Sequence, residues 1–188
     1  MKNIFITGAT SGIGLVVACK LAAIGNRVIA TARSIEKGNE LLAHYKSNYS
    51  NRKGTIEIII CDLTSFESIV NACNHLSNNI NCIDVLINNA GLWNFSYKES
   101  QNKIEETFQV NVLAPLLINH LLFDLLLKSK IAKSIFASSA LHQGSIDFSN
   151  LECKNNFSGF KAYRQSKLEI ILLTRLLAKK LEKSGIGV

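Results

Sequence analysis

Residues 3–14 read Asn3-Ile4-Phe5-Ile6-Thr7-Gly8-Ala9-Thr10-Ser11-Gly12-Ile13-Gly14, and this stretch decides the fold. A short apolar run leads directly into a glycine-rich turn, and an apolar helical pattern follows. This order is typical of a buried strand that turns into a helix whose first backbone N–H groups can hold a phosphate. Glycines also form turns that bind nothing, but their position directly after the first strand favours phosphate binding.

Four further apolar runs are rich in Ile and Val, as expected of strands buried on both faces. The predicted strands are Asn3–Thr7, Arg27–Thr31, Ile56–Cys61, Asp84–Asn88 and Lys133–Ala137. Helical patterns separate them, at Gly12–Ile24, Glu36–Tyr49, Phe66–Leu76, Gln101–Leu127 (two helices) and Lys161–Lys183. This strict alternation predicts right-handed crossovers and an α/β fold with a doubly wound parallel sheet.

The length of 188 residues fits one domain with a single core, residues 1–188. The formal net charge is +7, but the basic residues are scattered and not interleaved with aromatic residues, so we expect no nucleic acid partner. The last residues, Ile186-Gly187-Val188, are typical of the opening of a sixth strand. We therefore interpret the domain as C-terminally incomplete, either a truncated product or a fragment of a longer protein.

The five cysteines form no Cys-x-x-Cys pair, and His142 has no second histidine at metal-ligand spacing, so we expect reduced thiols and no metal site. Polar residues interrupt the apolar stretch from Val110 to Leu127, which therefore reads as a buried helix and not a transmembrane segment. The first predicted strand starts almost at Met1, so we expect no targeting segment ahead of it. These features together predict a cytoplasmic protein.

Two polar residues follow the second and third strands. A site that prefers NAD carries Asp or Glu after the second strand, whereas this chain has Arg33, which can pair with a 2′-phosphate through its planar fork. We therefore expect NADP(H) to be favoured over NAD(H), although Arg33 could also be an ordinary exposed residue. Asp62 follows the third strand and could accept a hydrogen bond from an adenine amino group, or equally cap the helix that begins near Ser65.

The fourth and fifth strands end in residues suited to a ligand site. Asn88-Asn89-Ala90-Gly91 could lock the backbone through its Asn side chains and let a ribose approach closely, although a simple turn would look the same. Ser138 and Ser139 could donate a hydrogen bond to a carbonyl oxygen or could only form a turn. Asn111 is a polar residue inside an apolar helical pattern, which calls for a reason.

Tyr163 and Lys167 stand four residues apart at the start of the last helix, so the phenol and the ammonium lie on one face, one turn apart. A neighbouring cation favours the ionised form of a phenol. The pair is therefore suited to moving a proton, while the other end of the chain is suited to holding a phosphate.

Taken together, these segments resemble the short-chain dehydrogenase/reductase family over essentially the whole chain. Gly8 to Gly14 is similar to its cofactor motif, Asn88 to Gly91 to its fourth-strand motif, and Tyr163 to Lys167 to its Tyr-x-x-x-Lys. Ser138-Ser139-Ala140-Leu141-His142 and the residues around Tyr163 resemble the retinol dehydrogenase-like branch, which usually prefers NADP(H). The resemblance implies a Rossmann-type fold that here lacks the last strands and the substrate lid.

The resemblance also implies roles for individual residues. Catalysis would fall to Asn111, Ser139, Tyr163 and Lys167. Tyr163 and Lys167 would also bind the cofactor. The other cofactor-binding residues would be Gly8, Thr10, Ser11, Gly12, Ile13, Gly14, Arg33, Asp62, Asn89, Ala90 and Gly91. The implied activity is NADP(H)-dependent hydride transfer between an alcohol and a carbonyl of a hydrophobic substrate, in a protein that could form a homodimer. The alternative is an inactive truncated product that binds dinucleotide or a protein partner.

Overall fold

The computed structural model describes residues 1–50 and 52–188 and contains one parallel sheet. Its strands are the short Ile- and Val-rich runs that the sequence predicted, and their ends differ from the predicted ones by at most one residue. The strands are β1 (Asn3–Ile6), β2 (Arg27–Ala32), β3 (Thr55–Ile60), β4 (Val85–Asn88) and β5 (Lys133–Phe136).

Helices connect the strands, and several begin at a serine. The helices are α1 (Gly12–Ala23), α2 (Ile35–Asn48), α3 (Phe66–Asn79), α4 (Glu106–Phe108), a π-helical turn (Gln109–Leu113), α5 (Ala114–Leu121), α6 (Phe123–Leu127) and α7 (Gly159–Leu181). The hydroxyls of Ser34, Ser65 and Ser158 accept hydrogen bonds from the first turns of α2, α3 and α7. Among the described residues, no helix is both long and apolar enough to cross a bilayer.

The strand order in the sheet is β3-β2-β1-β4-β5, and all neighbouring strands run parallel. The chain therefore winds outward from β1 to one edge, returns to the middle, and winds to the other edge. The winding direction reverses between β1 and β4, and the crevice at the carboxyl ends of those two strands is where open α/β sheets bind ligands. The predicted doubly wound architecture is confirmed.

Helices cover both faces of the sheet, and the alternation along β1 shows how. Phe5 lies on the face packed against α3 and α5, whereas Ile4 and Ile6 lie on the opposite face, packed against α1 and α2. All three side chains are almost completely buried. Since burying a large apolar side chain contributes about 1.5–3 kcal/mol, this central strand anchors both layers.

The predicted helix from Gln101 to Leu127 differs most from the structure. Regular helix begins only at Glu106, because Ser100 and the residues after it form a tight turn in which the Ser100 hydroxyl donates to Gln109 Oε1 and accepts from the backbone N–H of Ile104. The predicted break into two helices is instead a π-helical turn followed by α5 and α6. Pro115 lies in the first turn of α5, where its missing N–H costs little.

The carboxyl-terminal residues lie beside β5, where the sequence predicted the opening of a sixth strand. Gly187 forms a parallel bridge with Lys133, and the Gly187 N–H donates to Ala132 O at 2.9 Å. Ile186 is buried in the core beneath this edge. The backbone groups on the outer edge of β5 are thus partly paired with the segment around Gly187.

Glu169 is buried on the inner face of α7, and Gln165, one turn earlier, lowers its pKa by less than burial raises it. The side chain is 5% exposed, and neither carboxylate oxygen has a hydrogen-bond partner among the described residues. Burial raises the pKa of Glu169 to about 7, because the charged form loses its hydration. Its carboxylate therefore opposes folding whenever it is ionised.

We predict that Glu169→Gln removes a pH dependence of stability. Below the ordinary pKa of Glu, both the folded and the unfolded chain hold the proton; above it the unfolded chain releases the proton first, so the free energy of unfolding falls as the pH rises toward 7. The fall amounts to about 3 kcal/mol. Because the unfolded chain has already released most of this proton at pH 5, urea unfolding should show the loss of stability between pH 5 and pH 8 shrinking by about 2.5 kcal/mol in Glu169→Gln and staying at the wild-type value in the exposed control Glu182→Gln. An unchanged difference in both variants would contradict this assignment.

Candidate active site

A cleft of about 370 Å³ opens at the carboxyl ends of β1 and β4. It extends across the ends of β2 and β3 and so crosses the point where the winding direction reverses. Its walls include ten of the residues predicted to bind a cofactor. They are Gly8, Thr10, Ser11, Ile13, Gly14, Arg33, Asp62, Asn89, Ala90 and Gly91.

The glycine turn is shaped by close backbone contacts that exclude side chains. Gly8 has φ +67°, and a Cβ there would lie 2.7 Å from Ala90 Cα. A Cβ on Gly14 would lie 2.1 Å from Gly8 O, so α1 can pack against the turn only because residue 14 has no side chain. Gly12 has φ +54° but open space around it, so its requirement is conformational. The turn therefore leaves its backbone open to the cleft.

The amino terminus of α1 differs from those of the other long helices. Ser11 is its N-cap residue, but the Ser11 side chain accepts no hydrogen bond from the first turn. The N–H groups that a cap would satisfy are thus left for another acceptor beside the cleft, where the helix dipole favours an anion. The glycine turn and this uncapped helix start fit the pyrophosphate of a dinucleotide.

Side chains at the end of β4 hold β1 and β4 together beneath the cleft. Asn89 Nδ2 donates to Thr7 O at 3.0 Å and to Gly8 O at 3.1 Å. In return, Thr7 Oγ1 accepts from the backbone N–H groups of Asn89 and Ala90. Asn88 performs the same function toward β5, where its Nδ2 donates to Ile135 O. The Asn side chains lock the backbone, as one of the two interpretations of this motif expected.

Arg33 and Asp62 lie on the opposite wall of the cleft. Arg33 is exposed, and no carboxylate pairs with its guanidinium among the described residues. The Asp62 carboxylate accepts from Thr64 and from Gln101 Nε2, while Ser65 caps α3. Of the two alternatives for Asp62, the helix cap is wrong, because the cap position belongs to Ser65, directly before Phe66.

Asn111 lies in the π-helical turn and is almost completely buried. Its Oδ1 accepts from the Leu92 N–H at 2.9 Å, and its Nδ2 donates to Leu92 O and to Ser166 Oγ, both at 3.0 Å. Ser166 in turn donates to Tyr163 O. Asn111 therefore joins the loop after β4 to α7, which is the physical reason for a polar residue in this apolar segment.

Lys167 lies beside Gly91 at the end of the cleft, and Tyr163 lies next to Lys167 on α7, although neither side chain lines the cleft itself. Lys167 is 4% exposed, its Nζ donates to Ala137 O at 3.1 Å, and it lies 5.7 Å from the centre of the Tyr163 ring. A Cβ on Gly91 would lie 3.2 Å from Lys167 Nζ, so the glycine makes room for the ammonium. Burial lowers the pKa of Lys167.

The two serines after β5 differ in what their hydroxyls do. Ser138 Oγ donates to Lys167 O at 2.9 Å and so fastens this strand end to α7. Ser139 Oγ only accepts a hydrogen bond, from the Leu141 N–H, which leaves its own hydrogen free to donate. His142 lies close by, with Nδ1 at 2.6 Å from Ser139 O, a local turn contact.

Trp93 and Gln109 contribute to the site, although the sequence analysis did not select them. The Trp93 ring stacks on the Tyr163 ring, with 4.9 Å between their centres. Gln109 is fully buried and links Leu63 O, Asn102 and Ser100 along the inner wall. A useful signal for Trp93 was available, since the only tryptophan of the chain lies two residues after Gly91, in the loop that follows β4.

A doubly wound parallel sheet with a glycine turn at the reversal point defines a dinucleotide-binding α/β protein. The chain belongs to the short chain dehydrogenase family, whose model matches residues 2–188. It is 32% identical to retinol dehydrogenase 14 of mouse over 196 residues, a match that covers 100% of this chain and 59% of that protein. The chain thus spans little more than half the length of this relative, and the predicted resemblance to retinol dehydrogenases is confirmed.

Solved structures agree with this assignment. An uncharacterised protein from Mycobacterium paratuberculosis superposes with a TM-score of 0.82 at 28% identity, covering 99% of this chain and 65% of that chain. A metagenomic short-chain oxidoreductase, solved in complex with NADP, superposes with a TM-score of 0.78 at 25% identity, covering 98% and 77%.

We predict that Asn111→Ala loosens the loop after β4. The change removes three hydrogen bonds and leaves two backbone groups of Leu92 without partners, which should lower the free energy of unfolding by about 2 kcal/mol. The fluorescence of Trp93, the only tryptophan, should shift to longer wavelength as the loop gains contact with water. The exposed control Asn79→Ala should change neither quantity. Equal destabilisation by both variants, or unchanged Trp93 emission, would disprove this role.

Proposed function

We propose that the chain forms the cofactor-binding and proton-transfer part of an NADP(H)-dependent oxidoreductase that interconverts an alcohol and a carbonyl on a hydrophobic substrate. The observation that carries the proposal is the position of Lys167 beside Gly91, at the end of a cleft that begins at the glycine turn, with the Tyr163 ring next to the Lys167 ammonium. The class of reaction also agrees with the name of the mouse relative, a retinol dehydrogenase.

Each catalytic side chain would then have a distinct task. A nicotinamide bound beside Gly91 supplies or accepts the hydride. Tyr163 donates its proton to the carbonyl oxygen during reduction and recovers it during oxidation. The buried Lys167 ammonium stabilises the phenolate that forms, and the free hydroxyl hydrogen of Ser139 donates to the same substrate oxygen.

Asn111 would serve this reaction by holding its neighbours in place. Both N–H groups of its amide are already used, toward Leu92 and Ser166. A water that relays protons to Lys167 would therefore have to bind an oxygen of Asn111. Through Ser166 the same side chain also fixes the backbone of Tyr163, so it links the cofactor wall to the proton donor.

The preference for NADP(H) rests on the charge at the far end of the cleft. Arg33 is a cation without a carboxylate partner among residues 1–50 and 52–188, and it lines the wall at the end of β2. A guanidinium can bind a 2′-phosphate with two parallel hydrogen bonds. Asp62 lies on the same wall and would accept from the adenine amino group. One structural relative was solved with NADP.

The alternative is a product that binds dinucleotide or a protein partner without turning over a substrate. The observation in its favour is a set of half-exposed apolar side chains on β5, just before β5 and on α7, which also suits the predicted homodimer. They are Ile131, Ile135, Leu172 and Leu176. The assay with Tyr163 described below separates the two functions, because only the first requires a proton donor.

We predict that Arg33→Asp weakens the binding of NADPH by about 10- to 100-fold and that of NADH by much less. The expected loss is that of hydrogen bonds between charged groups, and it applies only to the cofactor with a 2′-phosphate. Calorimetric titration with both cofactors measures the two affinities. The exposed control Arg175→Asp should leave both unchanged. An equal loss for NADPH and NADH would refute the cofactor preference.

We predict that Tyr163→Phe lowers kcat for carbonyl reduction by at least about 100-fold while the affinity for NADPH stays within a few-fold of wild type. The ring and its stacking are kept, and only the transferable proton is lost. The matched control Tyr49→Phe, directly after α2 and not among the residues that line the cleft, should keep wild-type kcat. If Tyr163→Phe retained activity, the proton-donor role would be excluded; if wild type bound NADPH and reduced no aldehyde or ketone, the binding-only alternative would stand.

A further inference from the structure

Trp93 covers the ring of the proposed proton donor. The two rings are nearly parallel, with an interplanar angle of 13° and 4.9 Å between centres, which is the offset stacking that aromatic pairs prefer. Lys167 lies on the same tyrosine ring at 5.7 Å. A substrate whose oxygen reaches the Tyr163 hydroxyl must therefore place the rest of the molecule next to the Trp93 indole.

The fold fixes the backbone on both sides of Trp93. Asn111 binds the N–H and the C=O of Leu92, and Asn94 Nδ2 donates to Glu106 Oε2 at 2.6 Å. A Cβ on Gly159 would lie 2.0 Å from Asn94 O, so the first turn of α7 packs directly on this loop. The backbone around Trp93 is thus held by buried contacts, and these contacts place the indole beside Tyr163.

The indole ring itself is held only by other rings. Its Nε1 is buried and has no partner among the described residues, although a buried tryptophan N–H usually finds one. Phe95 and Phe160 lie against the indole at 5.5 and 5.9 Å between centres. Phe95 is 87% exposed, so moving it away from the indole uncovers little further apolar surface.

Building on the proposed function, we propose that Trp93 determines substrate specificity and selects carbonyl compounds with a flat conjugated ring next to the reacting carbon. Trp93 is only partly buried, so such a ring can stack on the part of the indole that its neighbours leave uncovered. A saturated ring is thicker and has no π-system, so it gains burial but no stacking. Aromatic pairs add enough beyond burial to favour the flat ring by roughly 2- to 12-fold.

Paired substrates of equal carbon count test this specificity. The value of kcat/KM with NADPH is measured for benzaldehyde and for cyclohexanecarbaldehyde, and the ratio of the two is compared between variants so that intrinsic reactivity cancels. Trp93→Leu should lower the benzaldehyde preference about 5- to 10-fold, and Trp93→Phe should retain most of it. The control Phe148→Ala, which removes an 81% exposed aromatic ring elsewhere, should leave the ratio unchanged. A ratio in folded Trp93→Leu within twofold of wild type would overturn the proposal.

A second measurement keeps the proposal testable if turnover fails or Trp93→Leu does not fold. Trp93 is the only tryptophan, so its emission in wild-type protein with bound NADP⁺ reports contact with the indole. Benzaldehyde should quench it at a concentration several-fold below that needed for cyclohexanecarbaldehyde. If both aldehydes quenched the emission at the same concentration, the proposed specificity would be wrong. If benzaldehyde quenched selectively but no aldehyde were reduced, only the proposed oxidoreductase function would be wrong.

Discussion

The structure depends on how closely the turn after β1 approaches the end of β4. Gly8 lies so near Ala90, and Gly14 so near Gly8, that no side chain fits at either glycine. Asn89 closes the contact with hydrogen bonds to both carbonyl groups of the turn. This contact brings the reversal point of the sheet, the start of α1 and the fourth-strand motif to one place, and the cleft follows from it.

The second half of the site is attached to the first by buried polar contacts. Asn111 and Ser166 connect the loop after β4 with α7, and Ser138 connects α7 with the end of β5. These contacts hold Lys167 beside Gly91 and Tyr163 next to Lys167, although both come from sequence positions more than 70 residues away from Gly91. The arrangement has a cost, because Lys167 and Glu169 are both charged groups that α7 carries into a buried environment. Buried ionisable residues with shifted pKa values are typical of functional sites, so this face of α7 is consistent with a functional role.

The sequence predicted the sheet well because each strand is a short, mostly apolar run that is followed by polar or glycine residues. It predicted the region after Gln101 poorly, since the turn there depends on Ser100 reaching Gln109 and the backbone of Ile104, contacts that periodicity does not reveal. The sequence also left open whether Asp62 caps α3. Asp62 and Ser65 are both good cap residues, and only the structure shows that the helix begins after Ser65. The role of Trp93 was missed for a related reason: stacking on Tyr163 joins two segments whose proximity no local pattern indicates.

In the proposed function, one bound dinucleotide contacts both the glycine turn and Tyr163. A crystal structure of the chain with NADPH tests this most directly. We expect the pyrophosphate to lie over the start of α1 and the 2′-phosphate to lie against Arg33. The nicotinamide should lie between Gly91 and Tyr163, with its reactive carbon facing the tyrosine hydroxyl. A dinucleotide bound outside the cleft, or one whose nicotinamide points away from Tyr163, would contradict it.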